Sequence, residues 1–105
     1  MDKPTIIING TTKEIKKVKG SDWRIMGEFL EKKLSFGDKN FIDEHAKFIV
    51  NFFDGVTVDD VLNLPLEEIF PLAIEIRNFM INKISEKLNV IEKNADKGAE
   101  EETTP

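Results

Sequence analysis

The chain opens with a short β-branched run, Thr5 to Ile8, followed by Asn9-Gly10 and a second stretch in which Ile15 and Val18 stand among lysines. Asn-Gly reaches positive φ at little cost, so the pattern predicts a β-hairpin. A lone hairpin is marginal in water, which requires this one to lie on the segments that follow. There the apolar spacing changes to three and four. Ile25, Met26, Phe29, Leu30 and Leu34 form one stripe of a first helix, predicted over about Asp22 to Leu34, with Ser21 as N-cap and Trp23 one turn before Met26 on the same side.

SFGDKN breaks that helix, and Asn40 is placed to cap a second one over about Phe41 to Phe53. Phe41, Ile42, His45, Ile49, Phe52 and Phe53 mark its apolar face, widened by Phe48, and Asp54-Gly55 ends it. Thr57 and Asp60 then read as a capping box for a short helix through Leu64, stopped by Pro65. The last helix begins between Pro65 and Pro71 and runs to about Lys93, with Pro71 either in its first turn or marking a kink. Ile69, Leu72, Ala73, Ile76, Phe79, Met80, Ile84 and Leu88 make one face of it. Phe70, Ile74, Ile81 and Val90 fall beside that face, so the apolar sector is wider than one shallow contact needs. The expected fold is mainly α: an N-terminal β-hairpin and about four helices in one domain over residues 1–94. An acidic tail over 95–105, ADKGAEEETTP, has no apolar anchor and is expected to be disordered.

Composition narrows the function classes. The 105 residues are 40% hydrophobic and 33% charged, and the eight phenylalanines supply most of the aromatic bulk, so the chain has the material for a core. It has no cysteine, which removes disulfides, thiolate nucleophiles and cysteine-based metal sites and makes a reducing cytoplasm the simplest home. MDKPTIIING lacks the apolar run and small-residue cleavage pattern of a secretion signal, and no stretch approaches the roughly 18 apolar residues of a membrane span. A net charge of −5 repels phosphate backbones, so nucleic acid is not an expected partner.

Reactive chemistry is equally sparse. His45 is the only histidine, on the apolar side of its predicted helix, where a structural role is expected; there is no HExxH and no second histidine to complete a metal site. Asp59 and Asp60 are adjacent, so on a helix they point about 100° apart and cannot share a proton or a metal. DGVTVDD lacks the alternating oxygen ligands and closing glutamate of an EF-hand loop, and neither glycine-rich phosphate loop is present. These features predict no enzyme and no cofactor. They favour a protein that works by binding others, its surplus apolar surface covered by a partner or another copy.

A hairpin, then GSDWR opening a first helix, a second helix closing in NFFDG, VTVDDVLNLP and a long final helix occur here in that order. Over about residues 5–92 this arrangement resembles the small tail assembly chaperones of long-tailed, siphovirus-type phages and prophages of Gram-positive bacteria. Val56 stands where the family tends to have an aromatic residue before the Thr-Val-Asp-Asp cap. The resemblance implies a non-enzymatic protein of the bacterial host cytoplasm. It would bind the tape-measure protein, which sets tail length, and help recruit the major tail (tube) protein during tail morphogenesis. It also implies, as a further partner, a form of the chain itself extended by a −1 frameshift; Glu92-Lys93-Asn94 can be written as a slippery run of A. The rival class is a small regulatory or antitoxin-like protein-binding module. Candidate partner-binding residues are Trp23, Phe70, Ile74, Arg77 and Ile81. For Trp23 the simpler expectation is that it closes the small core beside Met26, with a partner anchor as the alternative.

Overall fold

The computed structural model describes the backbone of residues 3–99 and the side chains of residues 3–88. Strands β1 (Thr5–Ile8) and β2 (Thr11–Glu14) pair antiparallel with Ile8 opposite Thr11, joined by Asn9 and Gly10 at φ 51° and 79°. Two consecutive positive φ values are what a two-residue hairpin turn with matching twist demands, so the Asn-Gly reading holds in detail. Ile6 points into the core and Ile7 away from it. Beyond β2, Ile15 is buried, its N–H bonded to the Pro4 carbonyl at 3.0 Å, and the Lys16 N–H donates to the Phe52 carbonyl at 2.9 Å. The hairpin is thereby tied to the helical body, which supplies the cover a lone hairpin lacks.

Helix α1 spans Gly20–Glu31, two residues earlier and three residues shorter at its end than its spacing suggests. Lys19, not Ser21, is the N-cap: its backbone is extended and its N–H donates to Asp22 Oδ2 at 2.8 Å. Asp22 is only 1% exposed and also faces Lys16 Nζ at 3.7 Å, so the buried carboxylate at the helix start is both bonded and paired. At the other end Lys33 takes φ 48°, a left-handed conformation that cannot continue a helix, and its N–H donates to the Leu30 carbonyl.

Helix α2 spans Phe41–Val50 and α3 spans Val58–Leu62. Asn40 is the N-cap of α2 by position but makes no side-chain capping bond; Asp38 organises the loop instead, accepting the Ser35 N–H at 2.9 Å. Phe52 and Phe53 leave the helix and stay buried in the turn after it, where Asn51 Nδ2 donates to the Lys47 carbonyl at 2.8 Å. The capping box of α3 forms as read: Thr57 Oγ1 accepts the Asp60 N–H at 3.1 Å and Asp60 Oδ2 accepts the Thr57 N–H at 3.0 Å. Val56, just before it, is buried in the core.

Helix α4 spans Leu66–Ala99. Pro71 lies one turn further in than a first-turn position, and its missing N–H leaves the carbonyl of exposed Glu67 free for solvent. The helix continues past Asn94, so the segment expected to be disordered is helical as far as Ala99; residues 100–105 lie outside the described residues. Ile69, Leu72, Ala73, Ile76, Phe79 and Met80 are buried against α2, α3 and the hairpin arm, with Ile49, Phe52 and Ile76 at the centre of the core. No helix among the described residues is long and apolar enough to cross a membrane.

Two local features give measurable consequences. Gly27 lies inside α1, and a methyl group added there would meet nothing within 4 Å. Gly27→Ala is therefore expected to stabilise the chain by about 0.5–1 kcal/mol in urea unfolding, because alanine loses less conformational freedom in a helix. The α1–α2 corner is held by Glu44, whose carboxylate meets Lys32 Nζ at 3.3 Å and Lys47 Nζ at 3.5 Å. The hydrogen bond from Lys32 is the main cause that holds the Glu44 carboxyl below its ordinary value. A carboxylate with a depressed folded-state pKa contributes stability that is complete above its unfolded pKa and is lost as pH falls through the folded one. Lys32→Ala should raise the Glu44 pKa in an NMR titration and move that acid loss to higher pH.

Candidate interaction surface

Around α4, at 100° per residue, Phe70, Ile74, Arg77, Ile81, Ile84 and Leu88 share one flank, beside the core-facing side. Ile74 is 50% exposed, and Ile81, Ile84 and Leu88 are exposed with it. From Ile74 to Leu88 the stripe is about 21 Å long at 1.5 Å per residue, or four turns. By spacing Ile84 and Leu88 share a face with Ile76, Phe79 and Met80, yet they lie outside the core. They are outside it because the hairpin and the shorter helices cover α4 only as far as Met80, and the helix continues beyond them.

Helix α1 faces this flank in the opposite sense. Its first turn puts Trp23 beside Met80, Ile84 and Leu88, and with Val18 these enclose an open groove of about 360 Å³. Its last turn puts Leu30 beside Ala73, Ile74 and Arg77 at a second, smaller groove of about 200 Å³. Trp23 is 45% exposed and Leu30 is 51% exposed, so the α1 stripe packs over only part of its width: Met26 is buried, and Ile25 and Phe29 pack half-buried against the core. The simpler expectation for Trp23, a core position, is thus corrected. Helix α1 has been rolled so that the carboxylate of Asp22 and Met26 turn inward, which carries Trp23 and Leu30 to the rim. Trp23→Ala should accordingly cost about 1–2 kcal/mol in urea unfolding, short of the ~3–5 kcal/mol of a fully buried large aromatic.

The five sequence-predicted residues divide among these features. Trp23 lines the larger groove and Ile74 and Arg77 the smaller. Ile81 stands on the same flank between Arg77 and Ile84, exposed. Phe70 is half-buried in an aromatic cluster at the far end of the flank, 5.2 Å from Phe41 and 4.9 Å from His45 between ring centres. Val90 lies outside the residues whose side chains are described. Sequence reasoning missed Phe36, which is 86% exposed and covers Phe41 at 4.9 Å as an extension of the same cluster. Its signal was a bulky aromatic in a loop that otherwise reads as a helix breaker.

Polar side chains near these grooves have structural occupations. His45 Nδ1 lies 2.8 Å from the Phe41 carbonyl, so this nitrogen carries the proton and donates it. The ring is wedged among Phe29, Phe41 and Phe70 at 4.4–4.9 Å. Asp60 is engaged in its capping box, and no three metal-ligating side chains converge among the described residues. What the arrangement offers a partner is an apolar seam built from two helices. No protein-family model matches this chain, and no match was found among curated proteins or solved structures.

Proposed function

We propose that this protein is a phage tail assembly chaperone that shields a helical segment of the tape-measure protein in the host cytoplasm. It hands that protein to the major tail protein for tube growth. The observation that carries the reading is the exposed stripe Ile74, Ile81, Ile84 and Leu88 of α4 facing Trp23 and Leu30 of α1. Its side chains are spaced to receive the i, i+3/i+4, i+7 anchors of an amphipathic helix, the helix-in-groove mode of recognition. A long helical client with apolar stripes needs such cover before its tube is built, and the acidic exterior of the chaperone keeps the complex soluble. The sequence resemblance supports the same reading through the order of its motifs. The stripe suits a partner helix better than a small molecule, because it runs for about four turns of α4 and the grooves beside it are open.

Co-expression with the tape-measure protein of the same locus tests this. The expected result is a soluble complex that co-purifies and that forms tube when the major tail protein is added. A tape-measure protein that stays insoluble beside abundant folded chain, or soluble but unbound, overturns the reading.

A further inference from the structure

The two ends of the apolar seam differ in charge. Among the described residues, all the charged side chains lining the Trp23 groove are lysines: Lys19 on one wall, Lys83 and Lys87 on the other. An adjoining groove adds Lys3, Lys16 and Lys17 along the same edge, again with no carboxylate in its lining among the described residues. In a chain of net charge −5 this is a local inversion of sign. Among the described residues the nearby acids do not line it: Asp22 is buried and faces Lys16, and Glu86, one turn from Lys83 on α4, is not part of either groove. Among the described residues Lys19, Lys83 and Lys87 form no ion pair with a carboxylate; Lys83 Nζ instead lies 5.3 Å from the centre of the Phe79 ring.

We infer that the Trp23–Ile84–Leu88 groove binds an amphipathic helix whose apolar anchors are flanked by glutamate or aspartate. It rests on the chaperone reading only for which protein carries that helix. The apolar floor supplies contact area, and the lysine collar supplies orientation and partner choice, since a basic helix would bring like charges together over the same floor. A second copy of this chain is a poor occupant. In a twofold interface centred on the groove, each groove would meet its own image, and Lys83 and Lys87 of one copy would approach the same lysines of the other. The seam as a whole accommodates a helix, while the collar determines the charge of the helix that enters at this end.

Trp23 is the only tryptophan, so its emission reports directly on the groove. The test uses the full chain and two tryptophan-free helical peptides of about 20 residues with identical leucine anchors, one flanked by glutamates and the other by lysines. The acidic peptide is expected to shift Trp23 emission to shorter wavelength and to bind at least about tenfold tighter than its basic twin at low salt, the gap closing as salt rises. In the double variant Lys83→Glu/Lys87→Glu the preference should invert; both residues are exposed, so its melting curve should match the parent's. Equal binding of the two peptides, preference for the basic one, or no emission change overturns the inference. So does a concentration-dependent emission shift of the chain alone that tracks dimer in sedimentation, which would assign the groove to a second copy. The tape-measure protein separates this inference from the broader reading. If it binds parent and double variant equally, the collar assignment falls and the chaperone reading stands. If the acidic peptide obeys the charge rule while the tape-measure protein does not bind, the collar stands and the chaperone reading falls.

Discussion

Phe52→Ala is expected to destabilise the chain by about 3–5 kcal/mol, a large fraction of the ~5–15 kcal/mol that holds a domain of this kind. Phe52 has no solvent exposure, its ring lies 5.0 Å from that of Phe48, and its carbonyl receives the Lys16 N–H that ties the hairpin arm to the body. Removing the ring leaves a cavity at this junction, in a core whose other members are already packed. Urea unfolding monitored by circular dichroism should show a lower midpoint with the slope retained, as for a loss of packing in an intact fold. A loss below about 1.5 kcal/mol would mean that the site collapses and refills, and that the hairpin is less firmly joined to the helices than its hydrogen bond implies.

Ile74→Asp should have the opposite profile: folding nearly intact, partner binding lost. Ile74 is half exposed on α4 next to Arg77, so a carboxylate there stays hydrated in the free chain and has a guanidinium one turn away. The expected stability cost is about 1 kcal/mol, from partial loss of apolar contact and the lower helix propensity of aspartate. In a complex the same carboxylate would be driven into an apolar seam. Anchors at the centre of such interfaces are worth about 2–4 kcal/mol, so affinity for the tape-measure protein should fall by roughly 30-fold to 1,000-fold. Titration calorimetry beside a melting curve reads both quantities. A cooperative melt with unchanged affinity would remove Ile74 from the interface, and a collapsed melt would place it in the core.

The hairpin and the α3 cap were legible because their determinants are local. Asn9-Gly10 and Thr57 to Asp60 each encode a turn or a cap within four residues, and no distant contact has to agree for them to form. The start of α1 was misread for a related reason. Ser21 and Asp22 are both competent near a helix start, and the choice between them depends on which carboxyl or hydroxyl is buried. Asp22 turns inward because Lys16, six residues away in the hairpin arm, is there to meet it.

The sequence by itself determined the class of fold, the order of its elements and the apolar flank of α4 on which Phe70, Ile74 and Ile81 lie, since periodicity of 3.6 places residues on faces without reference to any neighbour. It could not determine which of those faces would be covered. Only the tertiary structure decided that Trp23 and Leu30 line open grooves and that Ile84 and Leu88 pass beyond the core. It also gathered lysines from the hairpin arm, the start of α1 and the far part of α4 along one edge of an acidic molecule. Burial and net local charge depend on what packs opposite a residue, and that is set by the rotation of α1 and by where the hairpin and short helices stop covering α4.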